Sequence, residues 1–206
     1  MTIRVHHLKI SRSTRIIWLM EELGLPYELV QHTRGADFRA PPSLYDVHPL
    51  GKAPAVEVDG RVMVESSAII EYIVDRHGGG KLLPSDNGRA EYLEWLHFAE
   101  GTLGMPMLMR LLGPRLGLAE AALGFMDAEL KKQLDWIERQ LEGKSFLCGE
   151  VFTGADINLE YLLEHAETLD LLATRPNLTR YLAALKARPA YVKAIEIGGP
   201  ITLPRS

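Results

Sequence analysis

Two serines and two arginines, Ser11, Arg12, Ser13 and Arg15, crowd the entrance of an apolar, helix-like run in ISRSTRIIWLMEELGL (10–25). A helix N-terminus presents unpaired N–H groups and a partial positive potential, so hydroxyl and guanidinium groups set there can cap the helix or hold an anion. A second polar entrance is ESSA (65–68), where Glu65 and Ser66 precede Ile69, Ile70, Ile73 and Val74 at helical spacing. A serine there can cap the helix and still offer a hydrogen bond to a carboxylate. Between them lies KAPAV (52–56), in which Pro54 opens a strand.

The elements that must hold these groups can be read along the chain. TIRVHHL alternates like a short strand, Ile16, Leu19, Met20 and Leu23 recur at helical spacing until Gly24 and Pro26, and YELV reads as a second strand. A loop rich in Pro and Gly over 33–52 leads to a hairpin, with Val56 and Val58 mirroring Val62 and Val64 across Asp59-Gly60. GGGKLLPSDNG reads as a linker. Beyond it only helical periodicity survives, in stretches over 91–112, 120–142, 155–163 and 178–185, the pattern of a helical bundle. Thr153 and Asp156 have capping-box spacing, and Phe152 is placed to staple that helix start.

Composition narrows the partners. A chain of 206 residues with 47% hydrophobic content, net charge -4 and no basic run gives no footprint for nucleic acid or a membrane surface. MTIRVHHLKI lacks the apolar core of a signal peptide and no segment is long and apolar enough to span a bilayer, so the expectation is a cytoplasmic protein. The single cysteine, Cys148, excludes an intramolecular disulfide and reads as a small core residue, and no Cys/His spacing suits a metal.

The order βαβ, then ββα, then an all-helical half resembles the cytosolic glutathione transferases, and the match runs through nearly the whole chain. It rests on SRSTRIIWLMEELGLPYELV, HPLGKAPAVEVDG, ESSAIIEYI, FTGADINLEYLL and RPNLTRYLAALKARPAY, in the expected order, the first of them closest to serine-bearing bacterial and fungal members. The resemblance implies a thioredoxin-like, α/β glutathione-binding domain over 1–80 and an all-α bundle over 89–206. Glutathione would be the co-substrate, without a metal, and a small hydrophobic electrophile the second substrate, with detoxification as the setting and a homodimer as the working form.

Glutathione has a thiol, an ammonium and two carboxylates, and the resemblance assigns residues to each. Pro54 would be cis, turning the backbone of Ala53 outward to pair with the cysteinyl unit like an added strand. Glu65 would answer the ammonium, Ser66 and its helix start the γ-glutamyl carboxylate, and Lys52 the glycine carboxylate; His48 could fix the loop. A free thiol with a pKa of about 8.5 is only a few per cent ionised at neutral pH, and each unit of lowering corresponds to about 1.4 kcal/mol. A hydroxyl donating to sulfur at a helix entrance supplies such lowering without itself attacking. The spacing of Ser11 and Arg15 matches serine-type relatives, so Ser11 is the expected thiolate stabiliser. Ser13 is placed at glutathione as well and as the helix N-cap, with Arg12 or Arg15 adding positive potential.

The electrophile is expected against EYLEWLHFAEGTLGMPMLMRLL, although Met105 and Met109 individually read as packing residues. Alternative functions are a glutathione-dependent peroxidase or disulfide reductase and a non-catalytic binding module of the same fold.

Overall fold

A computed structural model of the chain describes residues 2–35 and 39–202. Strands β1 (Ile3–Leu8), β2 (Tyr27–His32), β3 (Ala55–Val58) and β4 (Arg61–Val64) form one sheet in the order β2-β1-β3-β4. β1 runs parallel to β2 and antiparallel to β3, and β3 is antiparallel to β4. Helices α1 (Thr14–Leu23) and α3 (Ser66–His77) pack on the sheet, and a short α2 (Pro42–Tyr45) interrupts the loop expected over 33–52. This is the thioredoxin-like order expected from the sequence. Asp59 and Gly60 have φ of 49° and 76°, the left-handed pair that a type I′ turn requires.

The remaining helices are α4 (Arg89–Phe98), α5 (Met105–Leu112), α6 (Glu120–Gln140), α7 (Gly154–Thr168), α8 (Pro176–Lys186) and α9 (Pro189–Gly198). The continuous helix expected over 91–112 is broken into α4 and α5 by a π-helical segment, Ala99–Gly104. Pro106 has no N–H for the carbonyl of Thr102, and its ring would press on that carbonyl in a regular α-helix; a widened turn absorbs both effects. Beyond the break Met107 takes the core position, and Met105 is 60% exposed.

Contacts divide the chain into two units, one made of the segment before Leu83 together with that from Lys186 onward, the other of Leu83–Leu185. The bundle expected to extend over 89–206 therefore gives up its last helix, for α9 lies on α1 in the first unit. Three contacts explain why. Trp18 meets Tyr191 edge to face with ring centroids 5.1 Å apart, worth about 1 kcal/mol beyond the area buried. Glu22 receives a two-pronged bond from Arg188 at 2.6 and 2.9 Å, and Glu21 pairs with Lys193 at 2.6 Å.

The second unit is organised around Asp156, which is fully buried. The expected capping box is present: Thr153 donates its N–H to Asp156 Oδ2 at 2.7 Å. The other oxygen, Oδ1, accepts from the Leu147 N–H at 3.0 Å and the Tyr181 hydroxyl at 2.7 Å, joining the loop before α7 to α8. Burial pushes the carboxyl above the usual range, and these donors pull the other way. Asp156→Ala strands buried donors and is expected to cost about 3 kcal/mol or more, read as a fall in the denaturant midpoint. Asp156→Asn, which keeps one acceptor oxygen, should lose less.

Candidate functional site

Strand register gathers the chemistry-bearing segments at one end of the sheet. His6 pairs with Ala55, and Ala55 with Val64, so the end of β1, the start of β3 and the end of β4 lie side by side. The loop carrying Ser11, the turn Lys52–Ala53–Pro54 and the junction Glu65–Ser66 all issue from that edge. Parallel pairing brings the end of β2 there too, and Arg34 beyond it donates to the carbonyls of Lys9 at 3.1 Å and Ile10 at 2.7 Å.

The two serines divide their work differently from the expectation. Ser13 occupies the N-cap position of α1, yet its side chain makes no capping bond. Its hydroxyl, wholly buried, turns back to the strand: Oγ accepts from the Leu8 N–H at 3.1 Å and lies 2.8 Å from His7 Nδ1 and 2.7 Å from Ser11 Oγ. The side-chain cap expected of Ser13 is therefore corrected, and its hydroxyl lies behind that of Ser11. Ser11 keeps 8% of its surface and accepts the Ser13 N–H at 3.2 Å. His7 sits on the helix-covered face of β1, its other nitrogen, Nε2, donating to the Gly198 carbonyl of α9 at 2.8 Å.

At the second entrance Glu65 holds the N-cap position of α3, so neither Ser66 nor Ser67 caps it as expected. Arg15, 1% exposed, reaches from α1 and donates Nη1 to Ser66 Oγ at 2.9 Å. A guanidinium can only donate, so Ser66 Oγ accepts from it. Charge is thereby carried under both helix entrances, as expected of Arg15. Ile10 (φ 55°) and Glu65 (φ 70°), the residues immediately before Ser11 and Ser66, both have left-handed backbone. Such conformations cost a residue with a Cβ on the order of 1 kcal/mol and persist where surroundings enforce them, a frequent mark of functional sites. Arg34 holds the first of these through the Ile10 carbonyl.

The Ala53–Pro54 bond is cis, as the sequence reading expects. Ala53 is half-buried, Pro54 buried, and Lys52 and Glu65 exposed, so both charged groups are open to a ligand. His48 Nδ1 accepts the Leu50 N–H at 3.3 Å, in keeping with a loop-fixing role.

On the opposite face of β1 runs a polar chain that the sequence reading did not find. Arg4 joins Glu28 at 3.0 Å and Glu57 at 3.1 Å; His6 lies 2.9 Å from Glu57 and 3.1 Å from His32, which reaches Ser43 of α2 at 2.8 Å. The alternation HHL in β1 hides this, because the two faces of one strand bury one histidine each. The His6 bond and Arg4 hold the Glu57 carboxyl below its usual range, and burial pushes His7 and His32 below the usual imidazole range. A histidine whose folded value is depressed stabilises the fold above the unfolded value of about 6.5 and loses that contribution as pH falls through it, since the unfolded chain takes up the proton first. The denaturation midpoint is therefore expected to decline on acidification from pH 7 toward 5; a flat or rising midpoint would contradict the burial of these rings.

Among the described residues no group of three or more His, Cys, Asp or Glu could hold a metal, and no helix is long and apolar enough to cross a membrane. Cys148 is half-buried, and burial pushes its thiol up to about 11, leaving it a poor nucleophile.

Comparison with known proteins decides the family. Residues 11–76 match the model of the glutathione S-transferase N-terminal domain and residues 91–184 that of the C-terminal domain. Glutathione S-transferase 3 of Schizosaccharomyces pombe is 36% identical, with 90% of this chain and 84% of that one covered. The chain belongs to the glutathione S-transferase family. A crystal structure of a glutathione S-transferase from Actinobacillus pleuropneumoniae superposes with a TM-score of 0.86 at 34% identity, covering 95% and 92% of the two chains. A family member from Pseudomonas fluorescens, solved with two glutathione molecules bound, gives 0.83 at 26% identity, covering 94% and 92%. The two-domain fold and the transferase activity that the sequence resemblance implied, with glutathione as co-substrate, agree with these relatives.

Proposed function

We propose that this glutathione transferase joins glutathione to a small hydrophobic electrophile, with Ser11 donating its hydroxyl hydrogen to the glutathione sulfur as in serine-type members. The observation that carries the choice is the exposure of the two hydroxyls: Ser11 retains surface and Ser13 has none. Ser11 stands at the N-terminus of α1, where helix potential and Arg15 favour an anion. Ser66, its oxygen already occupied by Arg15, directs its proton to the γ-glutamyl carboxylate at the start of α3. Glu65 takes the ammonium, the Ala53 backbone the cysteinyl unit, and Lys52 the glycine carboxylate. The protein works as a homodimer in the cytoplasm.

A second reading has one specific support. The relative from Pseudomonas fluorescens holds two glutathione molecules. Two glutathione molecules held by one relative suit reduction of a glutathione-containing disulfide, so that activity is the alternative.

Ser11→Ala should raise the pKa of the bound thiol by about one unit and lower turnover of an aryl halide about tenfold or more. Ser66→Ala, which removes a contact kept from ground state to transition state, should raise the glutathione KM about tenfold with little change in kcat. A Ser11→Ala enzyme with wild-type thiolate and turnover would sink the assignment. Comparing the aryl halide with a mixed disulfide of glutathione separates the two reactions.

A further inference from the structure

Hydrogen positions in the buried chain Ser11–Ser13–His7–Gly198 follow from donor and acceptor counting. The Gly198 carbonyl only accepts, so its 2.8 Å contact places a hydrogen on His7 Nε2. Burial keeps the ring neutral, which leaves Nδ1 bare. The Ser13 hydroxyl has two acceptors in reach, His7 Nδ1 at 2.8 Å and the Leu8 carbonyl at 3.3 Å, and the shorter contact, which otherwise has no hydrogen, takes it; the 2.7 Å contact between the serines is then filled by the hydrogen of Ser11. Every hydroxyl in the resting enzyme points inward, toward His7. Ser11 thus has its hydrogen turned away from the place where a thiolate would need it.

We infer that His7 receives the thiol proton of glutathione through Ser13 and Ser11, and that this transfer is what turns the Ser11 hydroxyl toward the sulfur. The inference rests on the reading that Ser11 faces the thiol. The step balances in three hops. The S–H proton passes to Ser11 Oγ, the hydrogen of Ser11 passes to Ser13 Oγ, and that of Ser13 passes to His7 Nδ1. The S–H, two O–H bonds break as two O–H and one N–H form, and a neutral thiol and imidazole become a thiolate and an imidazolium. Afterwards Ser11 donates to sulfur, Ser13 to Ser11, and His7 to Ser13.

Both polarities satisfy every oxygen. Before transfer, Ser11 Oγ accepts from the Ser13 N–H and the thiol, and Ser13 Oγ from the Leu8 N–H and Ser11; afterwards the same backbone donors remain and the hydroxyl partners exchange. Those two fixed N–H groups hold the oxygens still while the hydrogens move. Gly198 allows the far end to close: a Cβ there would lie 3.1 Å from His7 Cε1 and 3.3 Å from Nε2, crowding the ring off its carbonyl. The titratable groups facing His7 are Lys9, just beyond its strand, and His32 on β2, whose positive charge disfavours the imidazolium. The Gly198 carbonyl from α9 and the thiolate favour it.

The test is nitrogen NMR of histidine-labelled enzyme near neutral pH, with the His7 ring identified by its loss in His7→Asn. On adding glutathione, Nδ1 of His7 should gain a hydrogen in step with thiolate absorbance, and S-methylglutathione, which has no thiol proton, should leave it bare. Thiolate formed while Nδ1 stays bare would overturn the relay. His7→Asn keeps an oxygen that can accept from Ser13 but cannot take the proton; it should raise the apparent thiol pKa and lower kcat about tenfold, with the glutathione KM within about twofold. If Ser11→Ala abolishes thiolate formation while His7→Asn behaves as wild type, the relay fails and the role of Ser11 stands. If Ser11→Ala changes nothing, both fail. Should His7→Asn not fold, the His7 ring is assigned instead through its own backbone resonances, and the wild-type spectra decide.

Discussion

The Ser13 hydroxyl is the contact on which the rest of the first unit turns. It is wholly buried among β1 backbone, a β1 histidine and its neighbour Ser11, and its hydrogen bonds are made to these protein groups. An unpaired hydroxyl in such a place costs a few kcal/mol. That penalty fixes the end of β1 to the first turn of α1, and so fixes how far the helix entrance stands from the sheet edge. The serine that retains surface, Ser11, is placed by the wholly buried one.

Arg15 imposes the second constraint. A guanidinium 1% exposed must be met by polar partners from its surroundings, and its bond to Ser66 joins the entrances of α1 and α3. Two helix N-termini with their positive ends converging would repel one another and a buried cation alike. The arrangement is tolerable in a protein whose task is to bind a tripeptide carrying two carboxylates and a thiolate. The electrostatic cost of the empty site becomes selectivity for an anionic guest, and the left-handed residues before each serine are further strain of the same origin.

Much of this was legible in the residues. The Asp59-Gly60 turn, the Thr153–Asp156 box and the periodicities of α1 and α3 are local signals, and each gave its element. Ser11 was singled out by spacing, and the structure adds exposure as a reason. What escaped was non-local. No local rule says that the Ser13 oxygen prefers a strand histidine to its own helix, or that Arg15 spans 51 positions to Ser66. His6 and His7 lie unassigned within the strand TIRVHHL, yet they face opposite sides of β1 and join different networks. The π-helical break was visible only as Pro106 in an otherwise helical pattern, and α9, whose apolar face is short, was absorbed into a bundle to which it does not belong.

The last helix changes what counts as the active unit. The bond from His7 to Gly198 bridges 191 positions, so the segment bearing every assigned glutathione contact is out of the ribosome long before the group that orients its histidine has been made. Until α9 docks, His7 Nε2 faces solvent or a wrong partner and is free to adopt the other tautomer, which would reverse the direction of both serine hydroxyls. In the proposed relay the last helix therefore matters for the base: a polypeptide without α9 would have the sheet, the serines and the cis-proline turn but no contact that keeps His7 Nδ1 bare to take the thiol proton.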